Sequence, residues 1–275
     1  MEETRIVSQI KSKKSFLCVG LDVDLEKIPK FLLKDEDPIF SFNKSIIDST
    51  HKHCIAYKLN IAFYEAFGIK GWKSLEKTIN YLNKNHPEIF TIADAKRGDI
   101  GNTSKMYAKS FFEELNFDSI TVNPYMGKDS VEPFLEYENK NTIILGLTSN
   151  EGSSDLQLRK TSNDYVFIDL IKASKNWVNS KNLMYVVGAT KTEYLEEIRK
   201  IIPDNFLLIP GIGAQGGNLK EVCEKTINKN VGIIINSSRS IIYASNDESF
   251  SEAAEKEAIV LKNQMEEILI KSKLI

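Results

Sequence analysis

Short apolar runs bounded by turn residues recur along the chain, at 16–21, 54–59, 89–93, 119–122, 142–147, 183–187, 206–209 and 232–235. Most are apolar at consecutive positions, the pattern of strands covered on both faces. Longer stretches with helical spacing lie between them, at 69–85, 102–115, 165–179, 191–201 and 217–228. In 191–201, Tyr194, Leu195, Ile198 and Ile201 recur at helical spacing, and Thr190 is placed to cap the start. A closing helix is expected over 252–271, with Ala253, Ile259, Leu261, Met265 and Ile268 as its apolar positions. Eight strands alternating with helices over about 250 residues is the count of an α/β fold of the (β/α)8 TIM-barrel type. The expectation is one domain over residues 1–275, with flanking helices at the N- and C-terminal ends. A doubly wound open sheet is the rival. It would place a glycine-rich fingerprint after the first strand, and Gly20-Leu21-Asp22-Val23-Asp24 is not one.

Composition narrows the class without changing the fold. The chain is 42% hydrophobic and 27% charged, with a formal net charge of −2. Those values suit an ordinary globular enzyme and give no electrostatic reason to expect nucleic acid or an anionic membrane as partner. No apolar run reaches the ~20 residues of a membrane span, and the acidic opening Met1-Glu2-Glu3-Thr4-Arg5 leads into no signal-like segment. A cytoplasmic location is expected. Three cysteines, Cys18, Cys54 and Cys223, are too few and too far apart for a disulfide framework or a zinc site. His51 and His53 do not share a helix face, so no metal pair is expected there.

Polar residues gather where the apolar runs end: Asp22, Lys58, Asp94, Lys96, Asn123, Ser149, Gly211 and Arg239. Charges that close buried strands are costly unless paired or used, and in a barrel these ends face the substrate. The densest group is Asp94-Ala95-Lys96-Arg97-Gly98-Asp99. On a regular strand Asp94 and Lys96 point the same way, while Gly98 lets the chain turn so that Asp99 can reach a partner. Alone, a D-x-K-x-x-D string is common surface charge; with Lys58 closing a neighbouring strand it points to a site. Near the end, Pro210-Gly211-Ile212-Gly213-Ala214-Gln215-Gly216-Gly217 follows the seventh run and Asn236-Ser237-Ser238-Arg239-Ser240 the eighth. Barrel enzymes often hold phosphate with these two loops, through backbone N–H groups and an arginine fork. A plain glycine-rich turn beside a surface arginine is the bland alternative.

With these motifs in hand, the chain resembles the orotidine 5′-phosphate decarboxylase family from about residue 16 to 245, in the subgroup with the AKRGD form of the catalytic string. Lys58 within Tyr57-Lys58-Leu59-Asn60-Ile61-Ala62-Phe63-Tyr64-Glu65 and Asp99 within Asp99-Ile100-Gly101-Asn102-Thr103 carry the likeness, together with both phosphate loops. One departure is Leu59, where the subgroup more often has proline; leucine can adopt the same extended conformation. The stretch 150–163 is less familiar. The resemblance implies a cofactor-free carboxy-lyase of uridylate synthesis, converting orotidine 5′-phosphate to uridine 5′-phosphate. Lys58, Asp94, Lys96 and Asp99 would form a charged tetrad, Lys96 stabilising and protonating the C6 carbanion. Asp22 would bind ribose hydroxyls, Ser149 the pyrimidine, and Gln215 and Arg239 the phosphate. Asn60, Thr103, Asn123, Gly211, Gly216 and Ser238 complete the expected substrate-binding set. Asp99 and Thr103 would enter the neighbouring subunit's site, which implies a homodimer.

Three rivals remain at this stage. A Mg²⁺-dependent sugar-phosphate decarboxylase or aldolase of the same superfamily would want an acidic ligand where Lys58 stands. A Schiff-base lyase would need a desolvated, neutral lysine. A nucleotide-binding protein without catalysis is allowed by the fold.

Overall fold

The computed structural model describes residues 4–212 and 217–275. Its strands are β1 (Leu17–Gly20), β2 (Ala56–Asn60), β3 (Phe90–Arg97), β4 (Ser119–Val122), β5 (Asn141–Leu147), β6 (Leu183–Val187), β7 (Leu207–Pro210) and β8 (Ile233–Ser237). Strand order follows chain order and closes as a barrel. The β1–β2, β2–β3, β4–β5, β5–β6 and β6–β7 pairings are parallel, as crossover connections through helices require. The helices are α1 (Arg5–Lys13), α2 (Pro38–Thr50), α3 (Ala62–Glu65), α4 (Gly68–Asn85), α5 (Gly101–Lys109), α6 (Lys128–Leu135), α7 (Val166–Ser174), α8 (Thr192–Ile201), α9 (Leu219–Thr226), α10 (Arg239–Ile242) and α11 (Phe250–Lys271). No helix among the described residues is long and apolar enough to cross a membrane.

The chain divides into two compact units. The first runs up to Ala95 and adds Leu115–Phe117 and Asn236–Ile275. Here α1 begins at Thr4, whose hydroxyl accepts the Val7 N–H, and ends at Lys14 in a left-handed conformation (φ 51°). The Asp37 carboxylate caps α2 through the Phe40 N–H and also takes bonds from Ser74 and Lys77 of α4. The closing helix α11 buries Phe250, Ala254, Ala258, Met265 and Leu269, one face by spacing. Phe250 stacks on Phe42 of α2, ring centroids 5.3 Å apart.

The second unit comprises Lys96–Glu114 and Asp118–Ile235. Its strands bury Ile143, Ile144, Tyr185 and Val187 among others. After α5 the helix widens into one π turn at Ser110–Glu114. On α8, Leu195 and Ile198 face the core, and Arg199 reaches past them to the carbonyls of Thr226, Ile202, Pro203, Asn205 and Gly232 at 2.7–3.5 Å.

The apolar runs located all eight strands, β4 and β6 at their observed bounds. Helix starts were less well placed. Lys191, not Thr190, precedes α8, and no side chain caps it; the Lys191 N–H instead turns back to the Gly188 carbonyl. The helix expected from 217 begins at Leu219, because Asn218 takes the capping role through the Glu221 N–H. Helices α2 and α6 were not anticipated; α6 carries Pro133 in its interior, a residue that reads as a helix breaker.

Candidate active site

The first unit brings together the residues expected at the ends of β1, β2, β3 and β8. Lys58 lies on β2 with only 5% of its surface exposed. Its Nζ is 3.1 Å from Asp94 Oδ2 and 3.4 Å from Asp22 Oδ1. Register places Asn60 beside Asp94 across the β2–β3 pair, which sets the two strand ends level. Burial alone would pull the Lys58 ammonium below its ordinary value; Asp22 and Asp94 outweigh that and raise it. The lysine is therefore a fixed cation. Beneath it, Cys18 is fully enclosed and burial pushes its thiol up, so it behaves as a small apolar core residue.

Beside this cluster β1 and the end of β8 come very close. A Cβ on Gly20 would sit 1.8 Å from Ser238 Oγ, so only glycine fits there. Ser238 Oγ accepts from Asn236 Nδ2 at 3.3 Å, and the buried Asn236 Oδ1 has no hydrogen-bond partner among the described residues. Arg239 opens α10 and is exposed.

The second unit carries the other half of the expected set. Lys96 stands in the left-handed region (φ 46°), rare for a side chain with a Cβ and a recurrent feature of functional positions. The period-two expectation therefore does not carry from Asp94 to Lys96: the backbone turns at residue 96. The Lys96 N–H donates to Thr121 Oγ1 at 2.9 Å, and the Asn123 N–H donates to the Arg97 carbonyl at 2.7 Å. A Cβ on Gly98 would lie 3.1 Å from the Asn123 carbonyl. The half-buried Asp99 accepts the Ile100 N–H at 2.8 Å, and its carbonyl takes the Ser104 hydroxyl. Thr103 is exposed on the first turn of α5. Asn123 caps the turn at Pro124–Met126 through the Tyr125 N–H.

Ser149, half-buried after β5, is pressed against Gly188, where a Cβ would come within 2.8 Å of it. Gln157 supports the same loop: its Oε1 accepts the Thr148 N–H at 2.8 Å and its Nε2 donates to Thr148 Oγ1 at 2.9 Å. The loop after β7 is closed at its base, the Gly217 N–H meeting the Gly211 carbonyl at 3.1 Å, with Gly211 at φ 103°. Gln215 and Gly216 lie outside the described residues.

Known proteins resemble the chain along nearly its whole length. The sequence profile described as the orotidine 5′-phosphate decarboxylase / HUMPS family matches residues 15–254. The chain belongs to this family. It is 65% identical over 265 residues to the orotidine 5′-phosphate decarboxylase of Christiangramia forsetii, covering 96% of this chain and 97% of that one. To the protein of that name from Flavobacterium johnsoniae it is 62% identical over 269 residues, covering 98% of both. Among solved structures, Leishmania donovani OMP decarboxylase superposes with a TM-score of 0.79 at 33% identity, over 94% of this chain and 99% of that one.

Among the described residues no group of three or more His, Cys, Asp or Glu side chains converges to hold an ion. Sequence reasoning missed the supports: Gly20, Gly188 and Gln157 have no motif around them, and their roles appear only through close approach or a bond across a loop.

Proposed function

We propose that this chain decarboxylates orotidine 5′-phosphate to uridine 5′-phosphate and CO2 in pyrimidine synthesis, without a cofactor, residues 1–275 acting as one catalytic domain. The observation that carries this reading is the buried Lys58 ammonium between Asp22 and Asp94, in a chain of this family. The C6–carboxyl bond breaks, its electron pair stays on C6, and CO2 leaves. Lys96 stabilises that carbanion and then donates its proton to C6, recovering one from solvent. Lys58 and Asp94 hold each other in place and are the tetrad's other members with Asp99, and Asp22 binds ribose hydroxyls, with Asn60 in the substrate-binding set. Ser149 contacts the pyrimidine, and Asn123 belongs to the substrate-binding set. Arg239, Ser238, Gly211, Gln215 and Gly216 hold the phosphate.

A unit charge pair at about 4 Å is worth roughly 4 kcal/mol at an effective dielectric near 20. Enzymatic accelerations commonly need about 8–23 kcal/mol, so one lysine is not sufficient. Preorganised charge and phosphate binding energy supply the remainder. The strained backbone at Lys96 fits this, because a side chain held in one place reorganises little as charge develops.

Two features speak against the rivals. An ammonium occupies the position between Asp22 and Asp94 where a divalent cation would need those carboxylates. The raised basicity of Lys58 keeps it charged, which opposes Schiff-base formation. We further read the active form as a cytoplasmic homodimer, Asp99 and Thr103 serving the neighbouring site. Exposed apolar residues support this: Ile100, Met106, Tyr125 and Met126 are 49–74% exposed on the same segments as Asp99, Thr103 and Asn123. The test is complementation. Lys96→Ala and Asp99→Ala chains are each inactive and folded; mixed, they regain about a quarter of the sites if sites are shared. Mixtures that stay inactive contradict the shared site, and an active Lys96→Ala enzyme contradicts the proton-donor role.

A further inference from the structure

Asp22 sits on a segment whose peptide groups are bonded from both sides. The Leu21 N–H donates to the Lys58 carbonyl at 2.8 Å. The Tyr64 hydroxyl donates to the Leu21 carbonyl at 3.2 Å and is itself steadied by Asn43 Nδ2 at 2.9 Å. One residue on, the Tyr243 hydroxyl donates to the Asp22 carbonyl at 2.7 Å and accepts the Asp24 N–H, also at 2.7 Å. Both hydrogen-bonding capacities of one phenol are thus spent on the backbone either side of residue 23. Tyr243 lies just past the end of α10, the short helix that Arg239 begins.

We propose that Tyr243 is a positioning residue for the decarboxylation: it fixes the backbone that aims the Asp22 carboxylate. This rests on the assignment of Asp22 to substrate binding given above. The physical case is geometric. The bonds go to peptide groups, not to the carboxylate, so what they control is the direction of the Asp22 side chain and not its charge. A ring alone would pack equally well: Tyr243 stacks on Phe42 with centroids 6.0 Å apart, and Lys27 Nζ lies 5.9 Å from the ring centre. The hydroxyl adds nothing to that packing. Burial pushes the phenol up to about 12, so it remains a donor wherever the enzyme works. A displacement of about 1 Å at a reacting or binding group can cost on the order of a hundredfold in rate.

The experiment is a double-mutant cycle on kcat/KM for orotidine 5′-phosphate. Tyr243→Phe keeps the ring, and the Lys58 and Tyr64 bonds to Leu21 remain, so the variant folds and its thermal midpoint moves by only a few degrees. Its kcat/KM falls about tenfold or more. Asp22→Asn alone loses activity, and Tyr243→Phe added to it costs nothing further, because there is no longer a carboxylate to aim. A purely structural tyrosine would give the same loss in both backgrounds, and that additivity overturns the inference. Unchanged kcat/KM in Tyr243→Phe overturns it as well. If Asp22→Asn is itself fully active, the assignment of Asp22 fails and the inference falls with it, a result distinct from additivity.

Discussion

Lys58 and Arg199 are cations drawn away from water in different units, and they are satisfied in opposite ways. Lys58 stands between two carboxylates, which raise its basicity against the pull of burial. Arg199 is half-buried and gives its guanidinium to five backbone carbonyls; burial lowers it to about 10, and Asp204 offsets that only in part. Carbonyls past the end of α8 and at the end of α9 take its N–H groups, and it adds a second donor to the Gly232 carbonyl that the Leu207 N–H already reaches, so Arg199 completes the scaffold. Lys58 completes nothing in the backbone. Its partners are strand-end carboxylates that the fold could do without, and a buried ion pair is seldom retained for stability alone. The contrast teaches how to sort buried charge: a cation that serves peptide groups holds the chain, and one held by acids at strand ends fits the chemical role proposed for Lys58.

Substitutions can break that contrast. The largest effect is expected at Lys58→Met, which removes the charge and keeps most of the volume. The kcat/KM for orotidine 5′-phosphate should fall by about a thousandfold or more, measured with protein shown by circular dichroism to be folded. Activity within tenfold of the parent would move Lys58 to the scaffold side. Arg199→Met should do the reverse. Orphaning several carbonyls costs about 3–5 kcal/mol, or a thermal midpoint lower by roughly 10 °C, with kcat unchanged below the transition. Lost activity in the folded variant would deny the distinction.

Arg239 sharpens the comparison, being a third cation that is exposed and has no ion-pair partner among the described residues. Arg239→Ala should lower kcat/KM for orotidine 5′-phosphate by roughly a hundredfold and barely alter that for orotidine. Equal losses on both substrates would remove the phosphate from its role. The smallest effect belongs to an acid that serves the scaffold. Burial opposes ionisation of Asp37, but bonds from Ser74, the Phe40 N–H and Lys77 hold its carboxyl below the usual range. A depressed carboxyl contributes stability above its unfolded value near 3.9 and loses it as pH falls through the folded value. Asp37→Ala should cost about 1 kcal/mol at neutral pH and flatten the decline of stability below about pH 4. An unchanged acid limb in the denaturation profile would contradict the assignment.

How much of this was legible from the residues depended on whether a feature is local. Strands announced themselves because a barrel strand is covered on both faces, so 119–122 and 183–187 needed no partner to be read. Lys58, Asp94 and Arg239 stood out as charges closing apolar runs. Lys96 was found as a residue but not as a conformation, since a left-handed lysine leaves no mark on the hydrophobic pattern. Arg199 looked like one more charge on an amphipathic helix, and its carbonyl partners come from positions up to 33 residues away. Tyr243 was hidden for the same reason, its bonds reaching across 219 and 221 residues. Gly20 and Gly188 matter only through what a Cβ would strike.

The central claim is that a carboxylate-held lysine cluster performs decarboxylation without a metal. It is tested most directly by following the ultraviolet absorbance of orotidine 5′-phosphate with the purified protein, with and without EDTA. The account predicts rapid conversion to uridine 5′-phosphate at the same rate in both. Conversion abolished by EDTA, or none at all by folded protein, would contradict it.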